Sequence, residues 1–383
     1  MNQLINYFRK RPYLLIVLLW LAFETVWYLK FGLTFKMEAH KYIEEARYLL
    51  DNHHLSQGRF LFYLLTILVI AVSFVTGIGL HGALLVIALI NLTAYLYFFK
   101  ALRRLFGSVL PALMVVVFLI VFWPYQIWSL FLYTECLFYS LVMILFSRLL
   151  LFEKMTTGFL AGTLFVLMLV VLARPLGILF IFPVLLFLYF HFSRRQKIFF
   201  YIGLLSAALL LVWVVQVVFT TTHDWNMQRA FMEESIICDV PVHTATNLDI
   251  SNHPNQLYRL GYYITHNFSH FINLAATRLK YFFLMTRSYY STGHNAYVLA
   301  NMLVIYLCMI GGIRQMRKII PLPILVFSFS TILFFALAVA FQCDDYHNRF
   351  ILTLMPLFTV LALAGCMPVL KKIFTSFSKQ HKG

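Results

Sequence analysis

Apolar runs about as long as a bilayer is thick recur from Pro12 almost to the C-terminus of this 383-residue chain. Within a membrane a backbone N–H or C=O has no water to bond, so each run must satisfy its own hydrogen bonds as a helix. Composition agrees, because 62% of the residues are hydrophobic and 11% are charged, against roughly a quarter charged in a soluble domain. A water-soluble globule is excluded. The expected fold is all-α, a polytopic transmembrane helical bundle.

Eleven apolar segments can be drawn, at about 12–31, 60–80, 81–99, 109–128, 134–152, 157–173, 176–192, 198–219, 296–313, 319–341 and 350–370. Both ends are basic (Arg9, Lys10 and Arg11; Lys371, Lys372, Lys379 and Lys382). The positive-inside bias puts both in the cytoplasm, which requires an even number of crossings. Keeping Lys100/Arg103/Arg104, Arg194/Arg195/Lys197 and Arg314/Arg317/Lys318 on that side singles out 60–80 as the segment that does not cross. About 10 spans are expected, with 60–80 as a re-entrant or juxtamembrane helix on the outer side. No small-residue cleavage site follows the first apolar run, which reads as an uncleaved span. The organisation expected is an N-terminal transmembrane module over 1–219 with the first and second outer loops, an outer loop with an interfacial helix over 220–295, and C-terminal helices with a basic tail over 296–383.

The formal charge of +16 is spread over separate short loops, which marks topology and contact with lipid headgroups and gives no case for nucleic-acid binding. No Gly-rich phosphate loop is present. The long loops, 32–59 and 220–295, both fall on the outer side, so any active site is expected to face outward. Five cysteines lack metal-type spacing; three lie in apolar runs as small hydrophobes, and only Cys238 and Cys343 are placed to pair.

Six polar constellations stand out. In the first outer loop Glu38, Tyr42, Glu45 and Leu49 share a helical face, with Glu38 in the first turn, where the helix dipole favours a carboxylate suited to act as base or metal ligand. The alternative is a solvated amphipathic helix. Glu135 follows Trp123–Trp128 and Thr134 at the outer end of two apolar segments; a carboxylate there either faces a polar cavity or only complements the helix dipole. Glu24 lies mid-span, where a neutral, hydrogen-bonded acid is the cheaper state. Arg174, in Ala173-Arg174-Pro175-Leu176-Gly177, suits a phosphate or a snorkelling anchor. The last outer loop, Cys343-Asp344-Asp345-Tyr346-His347-Asn348-Arg349, is the densest polar cluster and offers Asp345, His347 and Arg349 to a metal or a lipid phosphate. Between Tyr262 and Tyr290 apolar residues recur at helical spacing around Arg278, Lys280 and Arg287, which reads as an interfacial helix; His266 and His270 on it lack a third ligand and read as a solvated pair.

In this order the pieces resemble the GT-C superfamily of polytopic glycosyltransferases, in the branch similar to bacterial protein O-mannosyltransferases and lipid A aminoarabinose transferases. The acid-x-x-x-Tyr-x-x-x-Ala-x-x-Leu pattern of the first outer loop is matched by Glu38, Tyr42, Ala46 and Leu49. Arg104-Leu105-Phe106-Gly107, Pro124, Thr134-Glu135, Gly158 to Gly162, Arg174-Pro175-Leu176-Gly177, and Arg349-Phe350 with Pro356 match further elements. The usual first-loop acid is Asp, so Glu38 departs by one methylene, and 220–295 matches no motif.

The resemblance implies a multi-pass enzyme of the bacterial inner membrane that moves a sugar from a polyprenyl-phosphate donor to an acceptor glycan, lipid or protein at the extracytoplasmic face, with inversion. Glu38 would be the base, with Tyr42 beside it. Glu135 would position the acceptor or hold a divalent cation, and Arg174, Arg349, Arg278 and Arg287 would clamp the lipid phosphate. No further cofactor is implied. A flippase or transporter, or a polymerase of lipid-linked glycans, is the competing class.

Overall fold

The computed structural model describes residues 10–380 except 199, 203–204, 207–208, 210–228, 239, 244, 246 and 345. Among them the chain is helical, with isolated bridges in place of strands. Helix boundaries follow local chemistry. Pro12 opens α1 (Pro12–Phe31) and Gly32 closes it at φ 68, a left-handed conformation that a side chain would oppose. The first-loop helix α2 (Glu38–Asn52) buries Ala39, Tyr42, Ile43, Glu45 and Ala46. A 3-10 turn, Gly58–Tyr63, runs into α3 (Leu64–Val75), and α4 (Gly79–Phe106) is 28 residues long. Next, α5 (Val109–Val121) bends by 67° into the stretch Trp123–Leu130, where Pro124 interrupts the hydrogen-bond ladder. Then come α6 (Glu135–Leu150) and α7 (Thr157–Ala173). Arg174 ends α7 in an extended conformation, as a residue before proline must, and the turn Pro175–Phe180 leads into α8 (Ile181–Tyr189). A Cβ at Gly177 would collide with the Val170 backbone, so only glycine lets this turn fold back on α7. The later helices are α9 (Gln256–His266), α10 (Phe268–Leu284), α11 (Thr292–Gly311), α12 (Ile313–Ile319), α13 (Leu322–Phe341) and α14 (Met355–Gln380).

Five of these stretches are long and apolar enough to cross a membrane: α1, Gly58–Val75, α4, α11 and α13. Two bent pairs, α5 with Trp123–Leu130 and Tyr346–Leu352 with Met355–Leu370, raise the number to 7. The remaining apolar segments form α6, α7 and the stretch Pro175–Tyr189, shorter than the roughly 20 residues of an untilted span. Most of segment 198–219 lies outside the described residues. Gly58–Val75, expected not to cross, has the length to do so. It packs along the charged helix α2, so the case for a juxtamembrane position rests on that polar neighbour and on the parity of the basic loops.

Packing divides the chain into two compact units that cut across the three sequential blocks expected from the sequence. One comprises Met1–Phe182, Ile305–Val326 and Leu352–Gly383; the other comprises Pro183–Val304 and Phe327–Ile351. At the centre of the first, α4 lies along α6. Ile87, Asn91, Ala94, Tyr95, Phe98 and Leu102 form the buried stripe of α4, and α6 is buried on nearly every side. The second is built on Phe231, Tyr263, Phe271, Leu274, Ala275 and Ala340. The single interfacial helix expected between Tyr262 and Tyr290 is two helices. They break at Asn267, which leaves helical geometry (φ -124, ψ 40) and whose side-chain amide donates to the Asp249 carbonyl (2.7 Å) and accepts from its N–H (3.0 Å). Cys238 and Cys343 are disulfide-bonded as the sequence allowed. Cys308 and Cys366, read as small hydrophobes, are bonded as well. That departure follows from glycine: Gly312, just past the end of α11, and Gly365, in the middle of α14, let the two backbones approach each other.

Candidate active site

Glu38 opens α2 behind Met37, which holds a left-handed φ of 55. One oxygen, Oε1, accepts from both Lys41 Nζ and Tyr42 OH, each at 2.9 Å. The Lys41 ammonium also sits over the rings of Tyr42 and Tyr63, 4.9 and 5.2 Å from their centroids. Tyr42 is fully buried, whereas the Glu38 and Lys41 side chains are 22% and 44% exposed. The carboxylate thus reaches solvent from a base that is fixed. Glu45, one face down the helix, is buried and ties α2 to the following turn by accepting from the N–H (2.7 Å) and the hydroxyl of Ser56.

Backbone pairing brings the second acid alongside. Thr34 donates to the Leu130 carbonyl (3.0 Å) and accepts from Leu132 N–H (3.1 Å), a parallel bridge between Thr34 and Phe131. Tyr133 OH adds a bond to the Lys36 carbonyl at 3.4 Å. Glu38 and Glu135 each open a helix four residues beyond their member of this bridge. The phenol of Tyr42 senses the result. Burial above all, then the charges of Glu38, Tyr63 and Glu135, push it well above the ordinary tyrosine value, with Arg174 opposing. Tyr42 therefore stays protonated and donates to Glu38.

Glu135 is fully buried in the first turn of α6, and its carboxylate is ion-paired with Arg174 Nη1. Arg174 is 7% exposed. The two residues expected to serve separately, one on acceptor or metal and one on phosphate, are each other's counter-ion. Among the described residues no group of three or more His, Cys, Asp or Glu is placed to hold a metal.

In the second unit the expected cations are turned inward. Arg278 is completely buried and donates to the carbonyls of Ser235 (2.8 Å), Ala340 (3.3 Å) and Ala230 (2.8 Å), with its guanidinium over the Phe231 ring at 4.8 Å. Burial pulls it down to about 10, so it remains charged at neutral pH. Arg287 pairs with buried Asp344 and donates to the carbonyls of Tyr281 (3.0 Å) and Thr286 (3.1 Å). The bridge from Cys238 to Cys343 holds that pair in place. Cys238 N–H donates to the Asp344 carbonyl and Asp344 N–H to the Ile236 carbonyl, both at 2.9 Å. His347 is exposed and left-handed (φ 57), its N–H on Tyr289 OH at 3.1 Å. Arg349 is 8% exposed at the start of the helical turn Arg349–Leu352. Asp345 lies outside the described residues. His266 stacks on Tyr262 (3.8 Å), while His270 bonds Tyr263 and Glu234 (3.1 Å), so the two share no ligand.

No family model matches this chain, nor does any curated protein. The chain is similar to ArnT from Cupriavidus metallidurans in its apo crystal structure. The likeness covers 91% of this chain and 59% of that one, at 14% identity and a TM-score of 0.46. Identity at that level fixes no residue correspondence.

Two residues not expected among the site residues contact Glu38 or its partner Tyr42. Lys41, at i+3 from Glu38 on one helix face, was open to spacing alone. Tyr63 was not, since it reaches Glu38's partners only through the fold of α2 against the turn that precedes α3.

Proposed function

We propose that this protein is a GT-C-type membrane glycosyltransferase that moves a sugar from a polyprenyl-phosphate donor to an acceptor at the extracytoplasmic face, with inversion. One observation carries the reading: a partly exposed carboxylate in the first turn of α2 accepts at Oε1 from a protonated phenol and an ammonium, beside a second acid fixed by backbone pairing. Such an arrangement suits proton removal at a membrane surface. In the reaction the acceptor oxygen attacks the anomeric carbon from the face opposite the phosphate, the bond from that carbon to the phosphate oxygen breaks, and the acceptor proton passes to Glu38. Polyprenyl phosphate leaves with the bonding electrons.

Roles divide by exposure. Glu38 is the base, and Tyr42 orients it. Lys41 lies one helical turn away and half exposed, and because water reaches its pair with Glu38, its ammonium can turn to the departing phosphate more readily than Arg174, Arg278 or Arg287, whose carboxylate and carbonyl partners are buried with them. Glu135 with Arg174 sets the wall beside the base. In the outer-face topology the enzyme sits as a multi-pass protein in the bacterial inner membrane.

Purified protein incubated with labelled polyprenyl-phosphate sugar and bacterial envelope lipids tests this. Appearance of a new glycoconjugate, lost in Glu38→Gln, supports the transferase. Relocation of intact donor across the bilayer of a proteoliposome would point to transport instead, and lengthening of the lipid-linked glycan to a polymerase.

A further inference from the structure

Glu24 sits in the middle of α1, and both of its oxygens have partners from elsewhere in the first unit. Gln126 Nε2 donates to Oε1 at 2.5 Å, and Ser129 Oγ lies 2.8 Å from Oε2. The surrounding bonds fix most hydrogen positions. Gln126 Oε1 accepts from Tyr95 OH (2.6 Å), so its two amide hydrogens go to Glu24 and to Asn91 Oδ1 (3.1 Å). Asn91 Oδ1 also accepts from Trp20 Nε1 (2.9 Å), and Asn91 Nδ2 donates to Ser140 Oγ (3.1 Å), which donates to the Cys136 carbonyl (2.6 Å). Only the Ser129 hydroxyl has a choice, because the Gln126 carbonyl lies 2.8 Å away as well. If its single hydrogen goes there, Glu24 closes the network by donating its own proton to Ser129, and no net charge is buried. None of the hydrogen-bond partners of Glu24 among the described residues is cationic, and Tyr95 and Cys136 are the other titratable groups in the network. The geometry accommodates a neutral acid, and inside a membrane-spanning helix without a cationic partner that is the cheaper state.

The network joins α1, α4, α6 and the stretch Trp123–Leu130. That stretch ends at Leu130, whose carbonyl takes the Thr34 N–H and so starts the bridge from which Glu38 and Glu135 both project. We propose that Glu24 is a positioning residue, a neutral acid that anchors Trp123–Leu130 to the first span and thereby sets the spacing of the two loop acids. The inference rests on the glycosyltransferase reading for its kinetic consequence only.

The test uses the full-length protein carrying Thr34→Cys and Phe131→Cys, since the bridge there is made by backbone atoms. Copper-phenanthroline should join the two thiols as fast in a Glu24→Gln background as with Glu24 present, because glutamine can accept from Gln126 and donate to Ser129. In Glu24→Leu the rate should fall about 10-fold as the segment loses its anchor. An unchanged rate in the leucine variant, or a loss in the glutamine variant, overturns the proposal. Infrared spectroscopy of protein with native cysteines decides it should the leucine variant fail to insert. A protonated-carboxyl stretch at neutral pH, missing from Glu24→Gln, is expected, and its absence from the wild type refutes the neutral acid. In the labelled-donor assay Glu24→Gln should keep kcat within about 2-fold, while Glu24→Leu lowers kcat about 10-fold or more at nearly constant KM. A raised KM with kcat intact contradicts positioning. Should the wild type show no turnover, the proposed function fails while crosslinking and infrared spectra still decide the role of Glu24.

Discussion

Two carboxylate and cation pairs stand on either side of one backbone bridge, and they differ in what surrounds them. Glu135 with Arg174 is buried, its members 0% and 7% exposed; Glu38 with Lys41 is 22% and 44% exposed. Water competes for the second pair and not for the first. A buried pair is strong scaffolding and poor chemistry, because removing either member strands a charge in a medium that cannot solvate it. The exposed pair contributes little to stability and can exchange its partner for a substrate. The second unit repeats the first pattern, with Arg287 on Asp344 and Arg278 on three carbonyls.

That contrast can be broken at its strongest point first. Glu38→Gln should lower transfer by about 10²- to 10⁴-fold, the usual worth of a positioned base, while thermal unfolding in detergent moves little, as for a surface pair. A variant that is active, or inactive only because it melts, would erase the distinction. Arg174→Ala should destabilise by about 3–5 kcal/mol, read from the same melting curves, and pairing it with Glu135→Leu should recover most of that loss. A native-like melt for the single variant would mean that water reaches Glu135.

Tyr42→Phe sharpens the comparison. Its phenol bonds a partly exposed carboxylate, so its loss should cost about 1.5 kcal/mol, the low end for a bond to a charged group. Because burial and neighbouring carboxylates raise Tyr42, its donor is intact below the ordinary tyrosine range near about 10 and is lost only above it. The pH profile of transfer between about 8 and 10 should therefore keep its shape in the phenylalanine variant. Salt has the smallest effect: raising ionic strength should shrink the loss of thermal stability in Lys41→Met, under about 1 kcal/mol to begin with, and leave that of Arg174→Ala unchanged.

What the chain disclosed in advance followed from local rules. The first span matches Pro12–Phe31, the break at Arg174-Pro175 is where proline geometry put it, and Glu38 stands in the first turn of its helix. Arg278 was readable but misplaced. It falls on the stripe of Phe271, Leu274, Ala275 and Phe282, the buried face of α10, while Lys280 is exposed. A charged residue on that stripe announces an internal strut. The bridge between Thr34 and Phe131 and the pairing of Glu135 with Arg174 have no local signature, since they join residues far apart in the chain through backbone geometry or burial. The bond between Cys308 and Cys366 was hidden for a related reason, as glycines on two separate helices decide it.

Every role assigned to Glu38 depends on its lying at the extracytoplasmic face. Met37 precedes it and is 83% exposed, so Met37→Cys reports that placement directly through a membrane-impermeant maleimide on intact cells. Labelling without permeabilisation is expected. Labelling that appears only once the membrane is opened would put the carboxylate on the cytosolic side and contradict the proposed reaction.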